Sequence, residues 1–349
     1  VTPASGTAPL AVTFTDTSTG SPTSWLWDFG DGTTSATQHP THTYTTTGTY
    51  TVSLTATNAA GSDTATRTEA VTVQAPPPGD VPVLVGAGDI ADCSLSEDSA
   101  TAALLSSTPG TVFTLGDNAY PDGTTADFAD CYHPTWGIVK DRTRPVAGNH
   151  EYHTTNAAPY YAYFGAAAGD PTKGWYSYDI GTDWHVVVLN SNCSFVGGCG
   201  AGSPQEQWLR ADLAASTRAC TVAMWHNPRF SSGIYGDDSS TNAFWQALYQ
   251  DGAELILTGH EHHYERFAPQ NPAGVADPAY GIQQIIVGTG GKDLRWFNTI
   301  AANSLVRSVT SHGVLKLTLH SASYDWNFLP IPGDALNDSG TNTCHGAPS

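Results

Sequence analysis

The sequence predicts two folded parts: a small all-β sandwich over residues 1–75, then an α/β domain of the α+β sandwich type over residues 81–349. Three observations lead there. A chain of 349 residues exceeds what one ordinary hydrophobic core serves. Residues 1–73 alternate small β-formers with apolar residues in short runs, broken by Gly, Pro, Asn and Ser turns. From residue 81 onward, runs rich in Val, Ile and Leu each end in a polar, Gly-bearing turn, and helix-like stretches separate several of them.

The composition belongs to a globular protein, with 40% hydrophobic and only 13% charged residues. Thirteen basic against 32 acidic residues give a net charge of -19, which repels nucleic acid polymers and anionic membranes at long range. Residues 1–75 carry five acids and one base, a net of -4, so -15 falls on the remainder. A phosphate-bearing substrate therefore needs a local positive source. The six cysteines show no C-x-x-C spacing, so disulfides in an oxidising, extracellular compartment are the expectation. Their pairing stays open; the close Cys193 and Cys199 are expected to pin a loop, and Cys344 to tie the tail back, with Cys220 as one candidate partner. No run of 18 apolar residues exists to span a membrane. The chain opens at Val1 without a charged and then apolar leader, and the expectation is that a signal peptide has been removed or lies outside this sequence.

In the first part, Leu10 to Phe14 and Tyr50 to Leu54 read as strands. Trp25, Trp27 and Phe29 share one strand face by the two-residue period and are expected to fill the core. Asp28 and Asp31 are expected to serve the Gly-rich turn, two carboxylates being too few for a calcium site. WLWDFGDG followed by HTYTTTGTYTVSLTATNAAG resembles the PKD repeat, an immunoglobulin-like sandwich appended to secreted hydrolases. That resemblance implies a binding module for an extracellular polysaccharide or protein. Residues 76–80, within QAPPPGD, read as an extended, semi-rigid linker.

In the second part, VPVLVGAGD, TVFTLGDNAY, RPVAGNHE, WHVVVLNS, CTVAMWHN, AELILTGHEHH and QQIIVGTGG read as strands buried on both faces. EDSATAALLSS, PQEQWLRADLAAS and NAFWQALYQDG read as helices. In such sheets ligands bind beyond the carboxyl ends of the strands. Five of those ends carry Asp89, Asp117 with Tyr120, Asn149, His226, and His260 with His262. Carboxylate, phenol, amide and imidazole groups are costly to bury without a partner, and a pair of metal ions supplies one.

These motifs, GD-x-A, GDNAY, GNHE, a strand-terminal His and GHEHHYER, in this order, resemble the calcineurin-like metallophosphoesterases, and most closely their purple acid phosphatase group, over about residues 83–330. Ala91 stands where most of the superfamily has a ligating histidine, and Tyr120 where the purple acid phosphatases have a metal-binding tyrosine. The resemblance implies Asp89, Asp117, Tyr120 and His262 around a first ion, Fe(III) by the hardness of a phenolate. It implies Asn149, His226, His260 and the shared Asp117 around a second, which is Zn, Fe or Mn. The implied reaction is hydrolysis of a small phosphate monoester by a metal-bound hydroxide. His150 would be the hydrogen-bond donor or general acid, with His263, Tyr264 and Arg266 supporting the ligands from behind. The run HNPRFSSGIYGDD lacks the further histidines many relatives use on the leaving group, and Arg229 stands there as an alternative phosphate contact.

Two other readings share these residues. A phosphodiesterase acting on nucleotides or phospholipid headgroups uses the same constellation. A surface- or polysaccharide-binding protein with an inactive phosphatase-like domain would have lost ligands, whereas all seven positions are filled.

Overall fold

The computed structural model describes residues 1–7, 10–44, 47–74 and 81–348, and the expected linker at 76–80 lies outside the described residues. The chain forms two compact units, Val1–Val81 and Pro82–Ser349.

In the first unit, a five-stranded sheet runs in the order Ser5–Thr7, Gly61–Gln74, Gly48–Asn58, Ser24–Asp28 and Thr34–Ser35, and Leu10–Thr13 pairs with Thr41–Tyr44. Val12, Phe14, Trp27, Phe29, Tyr44 and Val71 form its core. Phe14 packs on Trp27 and Phe29 with ring centroids 5.4 and 5.0 Å apart. Trp25 corrects the expectation. It is only half-buried, because its indole N–H donates to Asp16 Oδ2 at 2.7 Å and so holds the ring at the polar rim. Asp28 and Asp31 serve the turn, accepting from the Gly30 and Thr33 backbone N–H groups at 2.9 and 3.0 Å.

The second unit has two mixed sheets. Its strands are β1 (Val83–Ala87), β2 (Thr111–Thr114), β3 (Thr143–Arg144), β4 (Tyr176–Ile180), β5 (Trp184–Val188), β6 (Cys220–Met224) and β7 (Leu255–Thr258). There follow β8 (Tyr264–Phe267), β9 (Gln283–Val287), β10 (Ser304–Ser308), β11 (Gly313–Leu319), β12 (Ser323–Pro330) and β13 (Ser339–Thr343). One sheet runs β3-β2-β1-β11-β12-β13, and the other β4-β5-β6-β7-β9-β8-β10. β1, β2 and β3 are parallel, as are β5, β6, β7 and β9. Every residue of β5, β6, β7 and β9 is buried, which is why these strands read as mainly apolar runs rather than alternating ones. Residues of both sheets, including Leu84, Val112, Val222 and Ile256, belong to one core.

The three expected helices form as α1 (Glu97–Ser107), α3 (Pro204–Ala215) and α4 (Asn242–Asp251). The Ser203 side chain caps α3 by accepting from Glu206 N, with Pro204 in the first turn. A fourth, α2 (Ala158–Phe164), was not expected, because APYYAYF lacks the polar face that marks an amphipathic helix; Tyr160, Tyr161 and Phe164 are all buried.

Disulfides join Cys93 to Cys131, Cys193 to Cys199 and Cys220 to Cys344. The last closes the C-terminal tail onto β6, and a buried carboxylate reinforces it. Glu254 accepts from the N–H groups of Thr221 and His345, the residues following each of those cysteines, at 2.6 and 3.1 Å. Burial pushes the Glu254 carboxyl up to about 8 from its ordinary 4.5. The folded state therefore holds a proton that the unfolded chain releases near pH 4.5. This contribution to stability is complete below that pH and is lost as pH rises through about 8. In urea titrations between pH 4.5 and 8, wild type is expected to lose stability relative to Glu254→Gln, and parallel curves for the two proteins would contradict this assignment.

Candidate metal centre

The parallel strands deliver the predicted residues to one edge of each sheet. Beyond β1 and β2 the two chains continue as paired loops: the N–H groups of Asp89, Ile90 and Ala91 donate to Gly116, Asp117 and Asn118 O, and Tyr120 N–H donates to Ala91 O. This zipper brings Asp89 and Asp117 side by side. Asp89, Asp117 and His260 all have positive φ, at 58°, 50° and 69°. That left-handed conformation costs an L-residue about 1–3 kcal/mol, and three instances at three predicted ligands mark a site where side-chain direction outweighs backbone comfort. Gly148 lets the β3 loop approach closely, since a Cβ there would sit 2.2 Å from both the N and Oδ1 of Asp117.

Two centres of converging lone pairs result. At the first, Tyr120 OH lies 3.1 Å from each of Asp89 Oδ1, Asp117 Oδ2 and His262 Nε2. His262 Nδ1 lies 2.8 Å from Asp293 O and so carries the ring proton, which leaves Nε2 as an acceptor. One phenolic proton faces three acceptors. At the second, His226 Nδ1 donates to Leu115 O at 2.6 Å, and Nε2 faces Asn149 Oδ1 at 3.1 Å, His260 Nδ1 at 3.2 Å and Asp117 Oδ2 at 3.3 Å. A single proton on that nitrogen serves only one of the three. Ligand atoms of Asp117, His226 and His260 all lie within 4.8 Å of one another. Asp117 Oδ2 belongs to both centres, and Ala91, buried beside Tyr120, contributes no donor side chain.

The electrostatics fit cations. Burial pushes Asp89 up to about 7, with the neighbouring Asp117 charge adding to it. Burial opposes ionisation of Asp117 too, but the His226 imidazolium outweighs it and holds that carboxyl below the ordinary range. His226 is raised to about 9, the Asp117 and Asp89 charges overcoming its burial. His260 and His262 fall to about 3, chiefly by burial, and so offer unprotonated nitrogens. Buried carboxylates and neutral imidazoles aimed at shared points are the donor set of a metal pair.

His150 stands at the mouth with its side chain 24% exposed, Nδ1 on Pro121 O and Nε2 3.7 Å from Asp117 Oδ2. Behind the ligands, Tyr264 OH and the Arg266 guanidinium bind Asp338 at 2.7 Å, and His263 Nε2 lies 3.3 Å from Glu265. Sequence reasoning missed two buried glutamates inside its own motifs. Glu151, of GNHE, accepts from the N–H groups of Gly148, Asn118 and Asp117 at 2.6, 2.8 and 3.1 Å. Glu261, of GHEHH, accepts from Ile234 and Tyr235 N–H at 3.1 and 3.0 Å. The signal was there: an acid flanked by ligands on a strand exit has no solvent to face. Arg229, the expected alternative phosphate contact, turns instead to Asp237, 3.8 Å away.

Residues 61–264 match the family model for calcineurin-like phosphoesterases, a span containing all seven predicted ligands. The chain belongs to that family. Residues 2–73 match the PKD domain. Purple acid phosphatase 15 of Arabidopsis thaliana is 26% identical over 272 residues, covering 64% of this chain and 47% of that protein. Purple acid phosphatase 22 of the same plant is 29% identical over 246 residues, covering 62% and 52%. The chain spans about half the length of the curated relatives it matches. Among solved structures, a purple acid phosphatase from yellow lupin (Lupinus luteus) seeds aligns with a TM-score of 0.63 at 17% identity, covering 96% of this chain and 72% of that one. GAP50, the anchor in the inner membrane complex of Plasmodium, aligns at 0.56 and 13%, covering 76% and 90%. Identities this low show the metallophosphoesterase fold alone. A fold that also serves an anchor leaves function to be argued from the site.

Glu151→Gln replaces one acceptor oxygen with an N–H donor facing backbone N–H groups. Urea unfolding of the metal-stripped protein is expected to show a loss of about 1–3 kcal/mol for each unsatisfied group, and an unchanged midpoint would refute the clamp.

Proposed function

We propose that this protein is a secreted hydrolase of small phosphate monoesters that works with two metal ions. The observation carrying the reading is the pair of lone-pair centres sharing Asp117 Oδ2. Asp89, Asp117, Tyr120 and His262 would hold one ion, and Asp117, Asn149, His226 and His260 the other. A phenolate at Tyr120 favours Fe(III) in the first place, with Zn, Fe or Mn in the second. When bound, such a pair supplies Lewis acidity toward the phosphoryl oxygens and lowers the pKa of water to about 7. Leu115 O and Asp293 O fix the His226 and His262 tautomers so that the correct nitrogen faces inward. His150, whose Nδ1–H donates to Pro121 O, would as an imidazolium donate from Nε2 to the leaving-group oxygen.

Three disulfides support an oxidising, extracellular location, and among the described residues no helix is long and apolar enough to cross a membrane. The PKD unit is proposed as the module that docks the enzyme on an extracellular polysaccharide or protein.

Native protein is expected to be purple, and Tyr120→Phe to lose the visible band while metal analysis still finds the second ion. A colourless native protein containing only zinc or manganese would refute the iron assignment. Hydrolysis of p-nitrophenyl phosphate is expected to exceed that of bis(p-nitrophenyl) phosphate, and the opposite order would overturn the monoester reading. His150→Ala is expected to lower kcat by about 100-fold or more on alkyl phosphates, whose leaving group needs a proton, and far less on p-nitrophenyl phosphate.

A further inference from the structure

We propose that Arg295, held in place by Tyr235, is the phosphate-binding cation of this site and the residue that makes it prefer a dianionic monoester over a monoanionic diester. The proposal rests on the reading that the site acts on phosphate esters.

Outside residues 1–75 the chain has 12 basic residues (13 less one) against 27 acidic (32 less five). Six of those twelve, Lys173, Arg210, Arg218, Arg229, Arg266 and Lys292, lie within ion-pair distance of a carboxylate. Nearby cations have carboxylates: Lys292 is 2.5 Å from Asp92, Arg266 2.7 Å from Asp338 and Arg229 3.8 Å from Asp237. Among the described residues, Arg295 has no carboxylate within ion-pair distance. Its Nη1 donates to Tyr235 OH at 3.2 Å, and its guanidinium lies 5.4 Å from the centroid of the Tyr235 ring.

This cation is tied to both histidines that the proposed ions would use. The Arg295 backbone N–H donates to His262 O at 2.8 Å. The Tyr235 ring stacks on the His260 ring, with centroids 4.7 Å apart and planes at 26°.

The support is built, not incidental. Glu261, fully buried between His260 and His262, accepts from Tyr235 N–H at 3.0 Å and from Ser231 OH at 3.2 Å. Asn298 N–H donates to Ser232 O at 2.8 Å, so the segment carrying Arg295 and the loop carrying Tyr235 are joined directly. The half-buried guanidinium thus presents its fork from two mutually anchored loops. A guanidinium fork matches two oxygens of a phosphoryl group, and its benefit grows with the charge on them. A monoester has a second charge to offer and a diester has none.

The test uses the metal-loaded protein as wild type, Arg295→Gln, Arg295→Lys and Tyr235→Phe, with metal content measured for each. Arg295→Gln is expected to lower kcat/KM for p-nitrophenyl phosphate by about 10–100-fold, the range of a charged hydrogen bond, while bis(p-nitrophenyl) phosphate changes by less than about 3-fold. Affinity for inorganic phosphate, read by calorimetry, is expected to fall by about 10-fold or more at unchanged metal content. Arg295→Lys should recover part of the loss, and Tyr235→Phe, which keeps the ring on His260, should lose less than Arg295→Gln. An equal fall for both esters, or an unaltered phosphate affinity in Arg295→Gln, would overturn the proposal. Wild type that hydrolyses neither ester, with phosphate affinity still dependent on Arg295, would instead refute the hydrolase reading and leave the anion site standing.

Discussion

Two carboxylates, Asp89 and Asp117, sit wholly buried within reach of one phenolic oxygen, and much of the C-terminal unit is arranged around that placement. Like charges so close in a low-dielectric interior are unfavourable by several kcal/mol unless cations join them. The surrounding chain responds in several ways. The β1 and β2 exits zip together to fix the pair, three residues accept left-handed backbone, and glycine yields space to the Asp117 carboxylate. His226 leans its imidazole against the arrangement from the other sheet.

The same constraint explains the buried glutamates. A loop bearing a ligand must hold its position to a fraction of an ångström, yet loops lack the repeating hydrogen bonds of strands. Glu151 and Glu261 substitute for those bonds by gathering several backbone N–H groups each. Glu265 accepts from the Ser232 backbone N–H and from the hydroxyls of Ser232 and Ser304. Rigidity is thereby concentrated where the polypeptide is least regular, at the carboxyl ends of the strands.

Much of this was legible in the sequence. Continuous apolar runs ending in Gly and a polar residue gave the buried strands and the edge where ligands gather, because burial on both faces leaves a mark that local propensity cannot obscure. Helix α2 escaped because its aromatic run buries itself without a polar face. Trp25 escaped because a two-residue period predicts which face a side chain takes, not whether its N–H finds an acceptor at the rim. The division of the seven residues between two ions rests on the family resemblance; what the distances give is Tyr120 beside His262, and His226 beside Asn149 and His260. The pairing of Arg295 with Tyr235 was illegible: Tyr235 lies in the run HNPRFSSGIYGDD, read there for its missing histidines and for Arg229, and only tertiary structure sets Arg295 against it.

Asp89, Asp117 and Asn149 leave one sheet, while His226, His260 and His262 leave the other, so each lone-pair centre draws on both. No half of the domain contains either centre. During synthesis a chain that has emerged only as far as Asn149 offers carboxylates, a phenol and an amide but no imidazole from these centres, and gains a full donor set only after His262 follows. Each centre is thus completed only where the finished chain closes the two sheets on one another.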